Sequence, residues 1–409
     1  MTKVDYLIIG GGIAGTTAAE EVRSKDPAST IAIITEEADR TYSRVLLPHF
    51  LRNENSLESL FIRTPESYKE KNIQLLTKLK VTKVDSQNKI VTTVDNQTFS
   101  YSKLLIASGG KANKLPLSGA NLPEVVYMRT LEDIRKIKEI IGRSKEAVVL
   151  GGGFIGIEFA QSFLKNSLKT TAIIREKSFW EPVVGENSGK LLSQILIDHG
   201  VVVLPETQVT EFIGQEKLES VKTNVGTEIK ADIAGVGIGI RLEIDYLKDS
   251  GINLNKGVLT NEFLETTAPG VWAAGDIAEF YDVVFKRTHS LGNWANAASQ
   301  GRTAGQNMSG QSQIFETTSM YSINIFDSNF SFLGDPMVDQ NTELIERGTL
   351  ADKKLGRLLI REDTIVGASL INLPADRNSI TKLIKAKTKI TSSKTKLADL
   401  SFDLSTIAN

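Results

Sequence analysis

One pattern occurs twice in this chain and limits its folds more than any other feature. An apolar run feeds a triple glycine, then an amphipathic helix, then a second apolar run that ends in an acid. The first copy runs from residues 4–9 through Gly10-Gly11-Gly12-Ile13-Ala14-Gly15, with a helix expected over about residues 16–24, to Ile31-Ala32-Ile33-Ile34-Thr35-Glu36. The second runs from residues 147–150 through Gly151-Gly152-Gly153-Phe154-Ile155-Gly156, with a helix over about residues 157–165, to Thr171-Ala172-Ile173-Ile174-Arg175-Glu176. Glu36 follows Gly15 by 21 residues and Glu176 follows Gly156 by 20. A lone G-x-G-x-x-G is weak, but each copy here follows a buried strand, opens a helix and leads to an acid at dinucleotide-site spacing. Gly10 and Gly151 permit the tight turn, Gly12 and Gly153 let backbone approach a pyrophosphate, and Gly15 and Gly156 allow close helix packing. The helix N-termini then present N–H groups and a positive dipole end to phosphate.

The expectation is an α/β chain with two Rossmann-like dinucleotide-binding domains. Two dinucleotides in one chain are what hydride transfer from a nicotinamide to an isoalloxazine requires. The 409 residues allow two or three domains. Strand-to-glycine closures occur at Ala107-Ser108-Gly109 and, after the second unit, at Ala274-Gly275-Asp276. Beyond about Phe315 the apolar pattern changes to period two, followed by a lysine-rich helix over about residues 378–387. The boundaries expected are 1–112 with 236–315 for the first domain, 113–235 for the second, and 316–409 for a C-terminal α+β domain.

Composition removes other classes. Hydrophobic residues at 41%, charged residues at 24% and a net charge of -1 describe an ordinary globular chain and do not favour nucleic acid. No apolar stretch approaches the ~20 residues that span a bilayer, and the first residues read as a strand, not a signal peptide. The absence of cysteine excludes thiol chemistry and an iron–sulfur cluster ligated by this chain. His199 and His289 show no ligand spacing, so no metal is expected. A cytoplasmic location is the default.

Three further stretches give the chain a resemblance to the two-dinucleotide flavoprotein reductases of the pyridine nucleotide-disulfide type. Leu105-Ile106-Ala107-Ser108-Gly109 looks like the family's A-T-G strand with Ser for Thr, Gly156-Ile157-Glu158 like its GxE extension, and residues 271–276 like its second flavin motif. Tyr42-Ser43-Arg44-Val45-Leu46-Leu47-Pro48 stands where the redox-cysteine helix would be. It resembles that segment in the cysteine-less rubredoxin and ferredoxin reductases and the flavin half of NAD(P)H nitrite reductases. Tyr127-Met128-Arg129-Thr130 before the second glycine turn belongs to the same pattern. The resemblance implies FAD and NAD(P)H as cofactors. It gives Glu36 the FAD ribose, Arg44 the FAD phosphates, Val81 the adenine through its backbone, and Asp276 the ribityl chain. Trp294 would begin the helix facing the flavin pyrimidine ring, and Gly237 and Gly239 would hold the nicotinamide side. Where many relatives place a lysine near flavin N5, this chain has His49, so the expected charge pair with Glu158 becomes His–Glu.

The expected function is therefore an FAD-dependent NAD(P)H reductase that passes electrons to a separate acceptor. Small carrier proteins, rubredoxin or ferredoxin, lead. A small-molecule oxidant, as in an NAD(P)H oxidase or a quinone or dye reductase, stays open, as does a redox-sensing interaction protein of the apoptosis-inducing factor sort. Glu176 favours NADH through a ribose 2′-hydroxyl, while Arg175 and Lys177 could pair with the phosphate of NADPH. Lys382, Lys385, Lys387, Lys389, Lys394 and Lys396 form a local basic run without an acid.

Overall fold

The structure is a computed structural model and describes residues 1–407. Contacts divide the chain into two units. The first comprises Met1–Phe50, Asn55–Lys111 and Ile240–Thr317; the second comprises Leu51–Glu54, Ala112–Gly239 and Thr318–Asn409.

In the first unit the strand Thr2–Ile9 lies between Ile31–Ile34 and Thr98–Ile106, parallel to both. Ile73–Leu76 extends the sheet on one side, and Ile90–Thr93 and Val81–Asp85 on the other. Val271–Ala273 pairs in parallel with Thr98–Ile106, returning late sequence to the first sheet. Val4, Leu7, Ile9, Leu104 and Ile106 pack into one core, whereas Tyr6, Ile8 and Leu105 pack into another. This alternation reflects the period of a strand covered on both faces.

The first glycine helix spans Ile13–Lys25, three residues earlier than expected, because Gly12 is its N-cap and the last glycine of the motif lies inside its first turn. It packs on the helix Trp294–Met308 with backbones nearly touching. A Cβ on Gly301 would lie 2.2 Å from the Ala14 carbonyl oxygen, and one on Gly305 2.7 Å from that of Ala18.

The second unit repeats the plan with a parallel sheet in the order Val202–Leu204, Lys169–Ile173, Glu146–Leu150, Ile233–Val236, Val125–Tyr127. Its glycine helix is Phe154–Lys165. The C-terminal segment forms a five-stranded antiparallel sheet, Met320–Ile325, Ser328–Gly334, Thr364–Ile371, Lys354–Arg361, Glu343–Thr349. The helix Pro374–Ala386 buries Ile380, Leu383 and Ile384 on it. That helix starts earlier than the lysine pattern indicated, because Pro374 is preset for the first helical turn. Arg347 is buried at the centre of this part. It bonds Asp376 at 2.7 Å and the carbonyls of Leu397 at 3.1 Å and Phe402 at 2.9 Å, tying the last turns of chain to the sheet. Among the described residues no helix is long and apolar enough to cross a membrane.

Candidate functional site

Each unit carries one glycine turn, and the two are built alike. Gly10 adopts φ +114°, and a Cβ there would stand 2.2 Å from the Ala107 carbonyl oxygen; a Cβ on Gly15 would stand 2.1 Å from the Gly10 carbonyl oxygen. Only glycine fits either place. A Cβ on Gly12, by contrast, would meet nothing within 4 Å. The helix that follows has no capping side chain and no acid in its first turn. The N–H groups of Ile13, Ala14 and Gly15 have no carbonyl to bond within the helix. An uncapped helix end beside an open glycine face suits a pyrophosphate, and this donor set fits a bound dinucleotide.

The cleft beside this turn is lined by Gly11, Gly12, Thr35, Glu37, Arg40 and Arg44. Thr41 fixes its wall by donating to the Gly11 carbonyl at 2.8 Å. Arg44 contacts Glu37 and donates to the Tyr42 hydroxyl at 3.0 Å. Burial works against the Arg44 charge, but Tyr42, Glu37 and Asp276 outweigh it and hold its pKa above the ordinary arginine value. The Glu36 carboxylate pairs with Lys111 at 3.0 Å, and Lys111 also reaches Glu243 at 2.9 Å. Glu37 and Asp39 are acids that line the cleft. Consecutive residues leaving a strand point to opposite sides, so the neighbouring glutamates take different surroundings.

The remaining residues named for this unit are distributed as follows. Ala107 is buried and Gly109 has φ +66°. The Ser108 hydroxyl is 3.0 Å from that of Tyr246, a residue with no motif to announce it; burial pushes the Tyr246 hydroxyl up to about 12, so it stays protonated at neutral pH. Val81 packs its side chain into the core and pairs with Thr93. The Gly275 N–H donates to the buried Gln300 at 2.7 Å, which sets the backbone entering Asp276. Asn293 caps the helix Trp294–Met308 by accepting from the Asn296 N–H at 2.9 Å, and Trp294 is its half-buried first residue. His49 sits half-buried in the short helix Leu47–Leu51.

In the second unit Gly151 has φ +110°, and a Cβ there would stand 2.4 Å from the Gly237 carbonyl oxygen. A Cβ on Gly156 would stand 1.9 Å from the Gly151 carbonyl oxygen, whereas one on Gly153 would meet nothing within 4 Å. The helix here also lacks a cap and a first-turn acid, leaving Phe154 and Ile155 half-buried at its start. Gly239 has φ +88° and accepts from the Asn113 N–H at 3.0 Å. Glu176 folds back toward the turn: a Cβ on Gly152 would lie 3.5 Å from its carboxylate, which also accepts from Arg175 at 2.9 Å. Arg175 is largely exposed. The Arg129 N–H donates to Asp133 at 3.1 Å, within the capping of the helix Leu131–Ile141.

Glu158, in the second turn of the glycine helix, is paired with Arg52 at 2.5 Å, and the two side chains are each 7% exposed. Arg52 also reaches Glu54 at 3.1 Å. Family likeness names only His49 as the cation for Glu158; Arg52 has no motif, and 106 residues separate it from its partner.

The pyridine nucleotide-disulphide oxidoreductase family matches residues 4–301. Nitrite reductase [NAD(P)H] of Bacillus subtilis is 28% identical over 393 residues, covering 95% of this chain and 48% of the relative. Apoptosis-inducing factor 3 of Mus musculus is 29% identical over 376 residues, covering 91% of this chain and 61% of the relative. The chain thus spans about half to three-fifths of the length of these relatives. Among solved structures, the covalent putidaredoxin reductase–putidaredoxin complex superposes with TM-score 0.92 at 25% identity, over 100% of this chain and 98% of that one.

Proposed function

The chain belongs to the pyridine nucleotide-disulphide oxidoreductase family, and from that membership we propose an FAD-dependent NAD(P)H oxidoreductase that delivers electrons to a small iron–sulfur or rubredoxin-like carrier protein. The observation that carries the reading is the pair of open, uncapped glycine turns, one per unit, in a chain without cysteine. When bound, FAD takes a hydride from the nicotinamide and can release the electrons singly. The first unit would hold FAD, with domain limits of 1–112 and 236–315, and residues 113–235 would hold the coenzyme. The N–H groups of Ile13 to Gly15 and the charged Arg44 answer the FAD pyrophosphate, and Glu36, with Glu37 beside it, can accept from ribose hydroxyls. Asp276, held by the Gly275–Gln300 bond, takes the ribityl chain. Glu176 accepts from a ribose diol on the coenzyme, which favours NADH. Glu158 and Arg52 put a mutually neutralised charge pair into a dry part of the second unit. No side chain of this chain relays electrons as a dithiol.

Likeness to a reductase solved with its iron–sulfur partner supports the choice of carrier. Steady-state turnover with a panel of acceptors tests it. The expected outcome is fast reduction of a ferredoxin or rubredoxin with slow oxygen consumption. Oxygen or quinone outpacing every carrier protein would replace this reading with an oxidase or dye reductase, and slow flavin reduction with every acceptor would replace it with a redox sensor.

A further inference from the structure

The glycine turn of the second unit is braced from outside its own sheet. The loop after the strand Lys169–Ile173 brings Trp180 back to the turn, where its backbone N–H donates to the Gly152 carbonyl at 2.7 Å. Trp180 adopts φ 57° and ψ 13°, the left-handed region that a β-carbon disfavours. Such a conformation persists only when the surroundings over-determine it. Here they are aromatic. The Trp180 ring lies 6.0 Å from that of Phe154, the first residue of the glycine helix, and 4.8 Å from that of Phe332 on the C-terminal sheet. Phe332 in turn stacks on Tyr321 at 4.8 Å and 17°.

The chain that follows Trp180 is pinned twice more to that sheet. Arg357 donates to the Val183 carbonyl at 3.2 Å, and Asn187 donates to Glu346 at 2.6 Å. A chain of contacts therefore runs from the antiparallel sheet through Phe332 and Trp180 to the carbonyl between the two glycines that precede the helix. That carbonyl matters because its oxygen carries negative partial charge. Held on the Trp180 N–H, it is kept from turning toward the open face of Gly153, where it would repel a phosphate.

We propose that Trp180 is a positioning residue of the coenzyme subsite, through which the C-terminal sheet sets the affinity for the pyrophosphate of NAD(P)H. The proposal rests on reading residues 151–156 as the coenzyme turn. Phe332 reaches the glycine turn through Trp180, and the chain of contacts makes it act on coenzyme binding.

The test uses the purified flavin-loaded protein with Trp180→Ala, Trp180→Phe, Phe332→Leu and the Trp180→Ala/Phe332→Leu pair. Aromatic contacts of this kind correspond to about 2- to 10-fold in an equilibrium constant. The KM for NADH should rise about 10-fold in Trp180→Ala and about 3-fold in Phe332→Leu, with kcat within about 2-fold and flavin content unchanged. Trp180→Phe should recover most of the loss, and the double variant should bind no worse than Trp180→Ala, because both changes break one chain of contacts. A parent-like KM in Phe332→Leu overturns the proposal even if Trp180→Ala does not fold. So does a fall in kcat and flavin content without a rise in KM, which marks a purely structural residue. Failure of NADH and NADPH alike to reduce the parent protein overturns the functional reading beneath it, an outcome separate from either of these.

Discussion

A side chain at Gly12 would enter open space, whereas one at Gly10 would strike the Ala107 carbonyl, so the two glycines fail in different ways. Gly12→Leu is expected to fold, with an unchanged far-UV circular dichroism spectrum, and to purify with little flavin because the leucine fills the approach to the helix end. Gly10→Leu is expected to fail to fold. A Gly12→Leu protein with full flavin content would contradict the assignment of this turn. Glu176 permits a second prediction. Its carboxylate faces the coenzyme turn while Arg175 is exposed, so Glu176→Ala should raise the NADPH-to-NADH ratio of kcat/KM by about 10-fold, the size of one hydrogen bond to a charged group. An unchanged ratio would place Glu176 outside the adenosine pocket. The buried Arg52–Glu158 pair gives a third. Removing the guanidinium takes away its bonds to buried Glu158 and to Glu54, so Arg52→Ala should lower unfolding stability in urea by about 3 kcal/mol, and Arg52→Met with Glu158→Leu should recover part of it. Equal loss in both would mean that the pair is not isolated from water. The glycines were legible because only glycine satisfies their geometry. Arg52 was not, since finding a partner 106 residues away requires the fold itself.

The helix Pro374–Ala386 shows the same contrast for elements. Its apolar positions Leu383 and Ile384, with Ile390 beyond it, are buried as the pattern indicates. Lysine spacing alone does not show which charges are committed. Lys394 is held by Glu343 at 2.6 Å and Asp363 at 3.2 Å, and Lys389 reaches the Glu362 carbonyl. Lys382, Lys385 and Lys387 are exposed, as is Lys396, and remain open to long-range attraction. If they help draw in an acidic carrier, its reduction should slow as rising salt shortens the screening length below about 8 Å, while hydride transfer from NADH changes little. Changing Lys382, Lys385 and Lys387 to Glu should reproduce the salt effect at low ionic strength. Parent-like carrier reduction by that triple variant would return these lysines to the role of a solvated helix face. The two glycine units were readable in order and type because strand, turn and helix there each carry their own signal. The antiparallel order of the C-terminal sheet was not, because short period-two runs indicate strands without indicating their neighbours.

The proposed function asks the whole molecule to bind both dinucleotides in one chain and to join two-electron chemistry at the nicotinamide to one-electron chemistry at a carrier. Duplication in the sequence carries most of that reading. The acceptor is the part that sequence and fold leave to experiment, because an acceptor is recognised by surface charge and exposed edges, not by a motif. The decisive measurement is an anaerobic titration of the yellow protein. About one equivalent of NADH per chain should bleach the flavin band, and about two equivalents of an oxidised ferredoxin or rubredoxin should then restore it, as the electron balance of a flavin coupled to a one-electron carrier requires. A flavin that NADH and NADPH leave oxidised, or one that they reduce and no carrier re-oxidises, would contradict the account.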